Sequence, residues 1–276
     1  MDFSKHLFRC SSLGYLMTEP KSNTEKETGE LSGTVKTHLA DVFVSAFYGR
    51  ETDIQNKYCE KGTEVEQDSI TLYSLYKSNF YKKNEVHLNN GYIQGTPDIF
   101  IGADIHHATF VPDIKSSWDI FTHFRNRGKE LNKMYYWQMQ GYLELTGAKD
   151  GCIAYCLVNT PERLVEAEKR KLWYSLGGDY CNMEIYEQGA NSLEANGNYD
   201  DIPLEQKIIE IPIKKNYSDI EKLYKRIDKC RAYLNKIYKD VVGTPNTILI
   251  SGDTINGTDV LIAEEADLLK TLGINS

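Results

Sequence analysis

The sequence predicts an α/β fold, a central mixed β-sheet flanked by helices. Three observations carry it. Apolar residues recur at helical spacing in "TVKTHLADVFVSAFYG". Short β-leaning runs in "EVHLNNGYIQGTPDIFIG" and "ATFVPDIKSS" are separated by turn residues. Beyond them helical and strand textures alternate, which suits one layered core rather than separate modules. With 276 residues the chain is long enough for one large domain. We place a core over about residues 34–240 and a C-terminal appendage over 241–276.

Taken in order, "TEPKSNTEKETGELSG" reads as an exposed loop. Val35, Leu39, Val42, Phe43 and Ala46 then mark one face of an amphipathic helix, with Gly49 near its end. A second long helix is predicted over 53–79, with Ile54, Tyr58, Val65, Ile70, Leu72, Tyr73 and Tyr76 as core positions and a kink at Gly62. The two β-leaning runs, separated by "GADIHH", suggest successive antiparallel strands. Residues 118–146 return to a helical pattern that Gly147 ends, and "GCIAYCLV" is a buried strand. In "TPERLVEAEKRKLWYSLG" Thr160 is the expected N-cap and Pro161 the first helical residue. A strand "KIIEIPI" and an amphipathic helix over about 218–238 complete the core.

Composition narrows the function classes. A hydrophobic fraction of 41% and a charged fraction of 26% are ordinary for a globular protein. No run of about 18 apolar residues occurs and the first residues lack a signal-peptide pattern, so no membrane segment and a cytoplasmic location are expected. The six cysteines are scattered without a C-x-x-C, which suits reduced thiols. Cys152 and Cys156 read as small buried hydrophobes. His87, His106, His107 and His123 have no metal-ligand spacing, and no P-loop, H-E-x-x-H or G-x-S-x-G is present.

A net charge of −8 argues against phosphate binding unless positive charge is local. "HFRNRGKELNK" carries Arg125, Arg127, Lys129 and Lys133 against Glu130 alone. Such segregation would steer an anionic ligand toward one cleft. A solvated basic helix face explains the segment equally well.

The chemistry centres on "GTPDIFIGADIHHATFVPDIKSSW". Side chains alternate along a strand, so Asp113 and Lys115 share a surface while Ile114 turns to packing. If the preceding strand pairs antiparallel, Asp98 comes close to Asp113. Two converging carboxylates repel unless a cation sits between them, and Mg2+ or Mn2+ suits an all-oxygen set. The expected ligands are Asp98, Asp113, the main-chain carbonyl of Ile114 and, from the preceding helix, Glu66. Metal would polarise a phosphoryl oxygen and acidify a bound water, with Lys115 orienting or deprotonating that water. The reaction expected is phosphodiester hydrolysis.

"GTPD", "VPDIK" and "YYWQMQGYLELTG" together resemble the PD-(D/E)XK nuclease superfamily, in particular its YqaJ and lambda-exonuclease type, with kinship to RecB-type nuclease domains. The likeness covers roughly residues 8–160. It implies a restriction-endonuclease-like core, with Asp98 as the motif's first aspartate, Asp113 as its second acid and Lys115 as its lysine. Aspartate stands at 113 where glutamate is commoner in the family. "KGTEVEQDSITLY" resembles the family helix in which glutamate follows a glycine by four residues, which selects Glu66 over Glu64. The resemblance further implies that Gln138 and Tyr142, one helical turn apart, contact the substrate strand, with Gln140 also common in the viral group. "FRCSSLG" resembles the family's opening segment, making Arg9 and Ser12 phosphate contacts. RecB-type relatives with an iron-sulfur cluster carry a cysteine group near the C-terminus, whereas this chain has only Cys230 there, so no cluster is expected.

The activity implied is a Mg2+- or Mn2+-dependent exonuclease acting on double-stranded DNA ends in recombination or repair. The setting implied is phage or phage-derived, in a bacterial host cytoplasm, beside a single-strand annealing protein, and a homo-oligomer is left open. An endonuclease of the same fold and a catalytically inactive DNA-binding subunit are the competing readings.

Overall fold

The protein is described by a computed structural model over residues 1–51, 57–178 and 180–243. In chain order the elements are β1 (Phe8–Arg9), α1 (Leu13–Leu16), α2 (Asn23–Glu27), α3 (Gly33–Tyr48), α4 (Lys57–Glu64) and α5 (Glu66–Tyr76). Next come β2 (Leu88–Asn89), β3 (Ile93–Gly95), β4 (Ile101–Gly102), β5 (Ala108–Ser116), α6 (Ile120–Arg125) and α7 (Lys133–Thr146). The rest are β6 (Asp150–Cys156), α8 (Glu162–Ser175), α9 (Met183–Ala195), β7 (Ile208–Lys214) and α10 (Tyr217–Val242). Residues Met1–Tyr238 make one compact unit, and the second, Lys239–Ser276, is described only over 239–243. Most of the expected appendage, and the expected core position Ile54, lie outside the described residues.

The main sheet runs β4-β5-β6-β7, with β5 and β6 parallel and both outer pairs antiparallel. It is mixed, as the alternating textures predicted. The central pair is apolar on both faces because both are covered, as parallel strands require. Odd positions of β5 and β6, Val111, Ile153 and Tyr155, join the larger core with Met139 and Leu143 of α7 and residues of α3 and α10. Even positions, Ile114, Cys152, Ala154 and Cys156, pack against Ile70 and Tyr73 of α5. Asp113 and Lys115 belong to the odd set by the same alternation. A smaller sheet, β1-β3-β2, holds the hairpin that the sequence suggested would precede the site.

α3 begins where the Ser32 hydroxyl accepts from Val35 N at 3.2 Å, and ends on Gly49 at φ 64°, a conformation in which glycine carries no Cβ penalty. Gly141 is needed for a different reason. A Cβ there would sit 2.7 Å from Leu13 Cδ1 and 2.8 Å from Cys10 Sγ, so only a bare backbone lets α7 approach the N-terminal segment.

Four expectations need correcting. The second long helix, described from Lys57, breaks at Val65, not Gly62: α4 and α5 are separate, and Val65 is buried at the joint. Tyr58 is no core residue but 60% exposed. Residues 118–146 form two helices, α6 and α7, parted by a turn in which Gly128 takes φ 70°. Pro161, not Thr160, stands at the N-cap of α8, and the Thr160 hydroxyl instead accepts from Lys61 Nζ at 2.9 Å. The N-terminal "loop" also contains the short exposed helix α2, and α9 had no sequence signal strong enough to predict it.

Candidate active site

β4 pairs with β5 only near Ile101 and Phe110, so further along β5 that strand edge has no strand beside it among the described residues. The chain before β4 fills the gap with a side chain. Asp98, in a bend rather than a strand, accepts the Ile114 backbone N–H on Oδ2 at 2.7 Å. A carboxylate thus takes the place of a ladder carbonyl. Because a strand residue presents its N–H and C=O along one edge, the Ile114 carbonyl lies on the same side as Asp98.

Asn84 holds that bend in place. Its backbone N–H donates to Asp98 O at 2.8 Å, and its side-chain amide donates to Pro97 O at 2.9 Å and Val86 O at 3.1 Å. Sequence reasoning missed Asn84, and the only cue was an asparagine in a turn-rich stretch.

Asp113 is fully buried. Its Oδ1 accepts from Gln138 Nε2 at 3.2 Å. Its Oδ2 lies 2.7 Å from Lys115 Nζ, yet receives no well-directed hydrogen bond. The contact is close enough for a strong ion pair, so we read Oδ2 as charge-compensated but short of a directed donor. Burial, followed by the Asp113 charge, pushes the Asp98 carboxyl up to about 7, against smaller opposing effects of Lys115 and the Ile114 N–H. Burial alone would weaken the Lys115 ammonium, but Asp113 and Asp98 outweigh it and hold its pKa above the ordinary lysine value. Lys115 therefore rests as a cation, 5.1 Å from the centre of the Tyr135 ring.

Glu66, Asp98, Ile114 and Lys115 line one open cavity of about 930 Å³. Glu66 is close enough for its charge to bear on Asp98, but its Oε2 is engaged by Lys83 Nζ at 2.6 Å. Among the described residues no three acidic, histidine or cysteine side chains are already gathered around one point. Asp98 and Asp113 bear on each other electrostatically, but the three acids expected to share one ion do not form a ready set among the described residues, and Glu66 is paired with Lys83 instead.

The other expected site residues fall in different places. Gln138 and Tyr142 are buried behind Asp113, where Gln138 Nε2 also donates to Tyr142 OH at 3.2 Å. They support the carboxylate from behind and do not line the cavity. Gln140 is fully buried and spans two backbones, donating to Lys214 O at 2.8 Å and accepting from Asn216 N at 2.8 Å, which leaves it no reach toward a substrate. Ser12 donates to Arg9 O at 2.9 Å, and it is Ser11 that faces the cavity. Arg9 is exposed and absent from the cavity wall. From the basic segment Lys129 reaches the cavity, together with Asn126 and Asn132. Arg125 folds onto Phe121 O at 3.1 Å and Arg127 onto Gln206 O at 3.4 Å.

The reading also missed Lys61. It is 1% exposed, borders the cavity, and donates to Trp118 O at 2.7 Å and to Thr160. Burial lowers its pKa to about 8, partly countered by Asp119.

No protein-family model and no curated protein matches the sequence. Solved structures do. A phage-related exonuclease from Haemophilus somnus 129PT superposes with a TM-score of 0.65 and 27% identity, over 85% of this chain and 96% of that one. The chain thus has the fold of a phage-related exonuclease, consistent with the expected resemblance to the PD-(D/E)XK nucleases. An alkaline exonuclease from Laribacter hongkongensis is similar in fold, at a TM-score of 0.55 and 15% identity, over 87% of this chain and 93% of that one. The same enzyme solved with dAMP gives 0.54 at 15% identity, over 87% and 95%.

Proposed function

We propose that this chain is a Mg2+- or Mn2+-dependent exonuclease that hydrolyses phosphodiester bonds from the ends of double-stranded DNA. The observation that carries the reading is the Asp98–Asp113–Lys115 cluster on the open edge of β5, facing a cavity whose wall also holds Lys61 and Lys129. The exonuclease neighbours support it.

The donor set fits a hard dication. Asp98, Asp113 and the Ile114 carbonyl would hold it, with Glu66 joining once free of Lys83. Asp113 Oδ2 lacks a directed hydrogen-bond donor, and Asp98 is protonated more readily than an ordinary carboxyl, first because it is buried and then because negative charge stands beside it. Both features are what a cation would correct. When bound, the metal supplies Lewis acidity and an acidified water.

The chain's own residues do the rest. Gln138 fixes the Asp113 carboxylate, and Asn84 fixes the bend that presents Asp98. Lys115, cationic at rest, offsets charge that builds on the phosphoryl oxygens. A dication held by both aspartates would offset the charges that raise its pKa, which would leave the amine a better base toward water. The cavity wall carries Lys61, Lys115 and Lys129 against Glu66, Asp98 and Glu130, so a dication held there would make it net positive toward an anionic substrate.

We infer a recombination or repair setting in a bacterial host cytoplasm, beside a single-strand annealing protein, from the family resemblance and the phage-related neighbour. No helix among the described residues is long and apolar enough to cross a membrane. The test is digestion of end-labelled linear duplex and covalently closed circle, with Mg2+, Mn2+ or chelator. Wild type should degrade the linear duplex alone, and only with metal. Asp113→Ala and Lys115→Ala should each lose at least about a hundredfold in rate while keeping the wild-type circular-dichroism spectrum. Cutting of closed circles would turn the assignment to an endonuclease, and metal-independent or undiminished cleavage would overturn it.

A further inference from the structure

Two lysines stand against the acidic cluster, and they are held very differently. Lys115 projects from near the end of a central strand with its side chain 22% exposed. Lys83 hangs from the loop between α5 and β2, 45% exposed, and bonds Glu66 Oε2 at 2.6 Å. It neighbours Asn84, whose backbone N–H is tied to Asp98 O, so the loop carrying Lys83 is anchored to the bend carrying a metal-site aspartate. The Asp98 charge also bears on Lys83, in addition to Glu66.

We propose that Lys83 is a built-in counter-cation of this site, clamping Glu66 in the metal-free protein and yielding that carboxylate when a divalent cation binds. The inference rests on the nuclease reading of the cluster. Charge counting supports it. With Asp98 ionised, as metal binding requires, three carboxylates against two ammoniums leave one negative charge. A dication added with Lys83 in place leaves one positive charge, whereas the same dication with Lys83 withdrawn leaves the cluster neutral. Lys83 is the lysine able to leave. An exposed ion pair is worth only about 0–1 kcal/mol, and the freed ammonium returns to water. Lys115 has no such route. Carrying the clamp on a loop lets a third ligand be stored beside two fixed ones without three bare carboxylates repelling one another.

The test is Mn2+ binding by the full chain without DNA, followed by calorimetry and by the loss of free-Mn2+ electron paramagnetic resonance signal. Lys83→Met should bind Mn2+ about threefold to fivefold more tightly than wild type at low salt, with the gain shrinking as salt rises. Lys82→Met, which removes a neighbouring exposed charge, should bind as wild type does. In a Glu66→Gln background the Lys83→Met gain should disappear, because no carboxylate is left to release. Mn2+ binding that is unchanged or weaker in Lys83→Met, or equally tightened by Lys82→Met, would overturn the clamp while leaving the nuclease reading intact. A wild-type chain that binds no Mn2+ would overturn both.

Discussion

Replacing Gln138 with methionine keeps side-chain volume and removes the amide that joins Asp113 to Tyr142. Two hydrogen bonds go, both 3.2 Å long: one to the ionised Oδ1 of Asp113 and one to the Tyr142 hydroxyl. A bond to a buried charge contributes about 1.5–3 kcal/mol and a neutral one about 0.5–1.5 kcal/mol. Both lengths are at the long end, so the combined loss should be near the lower limits, about 2 kcal/mol. Urea unfolding of the metal-free protein reads that number, with Tyr142→Phe as a control that removes only the hydroxyl and costs less. Because Asp113 is then free to tilt, kcat on linear duplex should fall about tenfold, the kinetic equivalent of about 1.4 kcal/mol, with KM unchanged. Full stability combined with a raised KM would refute the reasoning and return Gln138 to direct contact with the substrate strand.

Further outcomes follow from the titrating groups. Asp98 has its folded pKa raised from 3.8 to about 7, so between those values the folded chain binds more protons than the unfolded one, and metal-free stability should fall as pH rises through that window. Thermal melts in chelator should show this slope, and Asp98→Asn should flatten it. Mn2+ must displace the same proton, so its affinity should climb with pH up to about 7 and level off above. Lys61 is the reverse case: a base lowered from 10.5 to about 8 leaves the unfolded chain holding more protons in that window, so it adds stability as pH rises across it. The difference between wild type and Lys61→Met in urea unfolding should therefore change between pH 8 and 10.5, by no more than about 3 kcal/mol; a difference independent of pH would show that burial does not move Lys61 from the ordinary lysine value.

What sequence could reveal here depended on how local each cause is. Period-two alternation put Asp113 and Lys115 on one surface and Ile114 on the other, and the structure has that arrangement because β5 is regular. Asp98 was found through an expected antiparallel pairing and the "GTPD" resemblance, although it is a bend residue that takes the place of a strand partner. Gln138 and Tyr142 are near the site, but as buried supports: helical spacing tells which side chains share a face, not whether that face meets solvent or another side chain. Gln140 ties β7 to α10 because it is displaced around the helix from Gln138. Lys61, Asn84 and Lys83 owe their positions to contacts with residues distant in the chain, which no local periodicity reports. The break at Val65 was hidden for a similar reason. Its burial at the joint between α4 and α5 outweighs the weaker helix propensity of Gly62.

The central claim is that Asp98 and Asp113 share one divalent cation on the open edge of β5. Crystals grown with Mn2+ and measured for anomalous scattering test it most directly. A single strong peak is expected within bonding distance of both carboxylates and the Ile114 carbonyl, about 2.0–2.3 Å. An anomalous peak elsewhere, or none at Mn2+ concentrations that support cleavage, would contradict it.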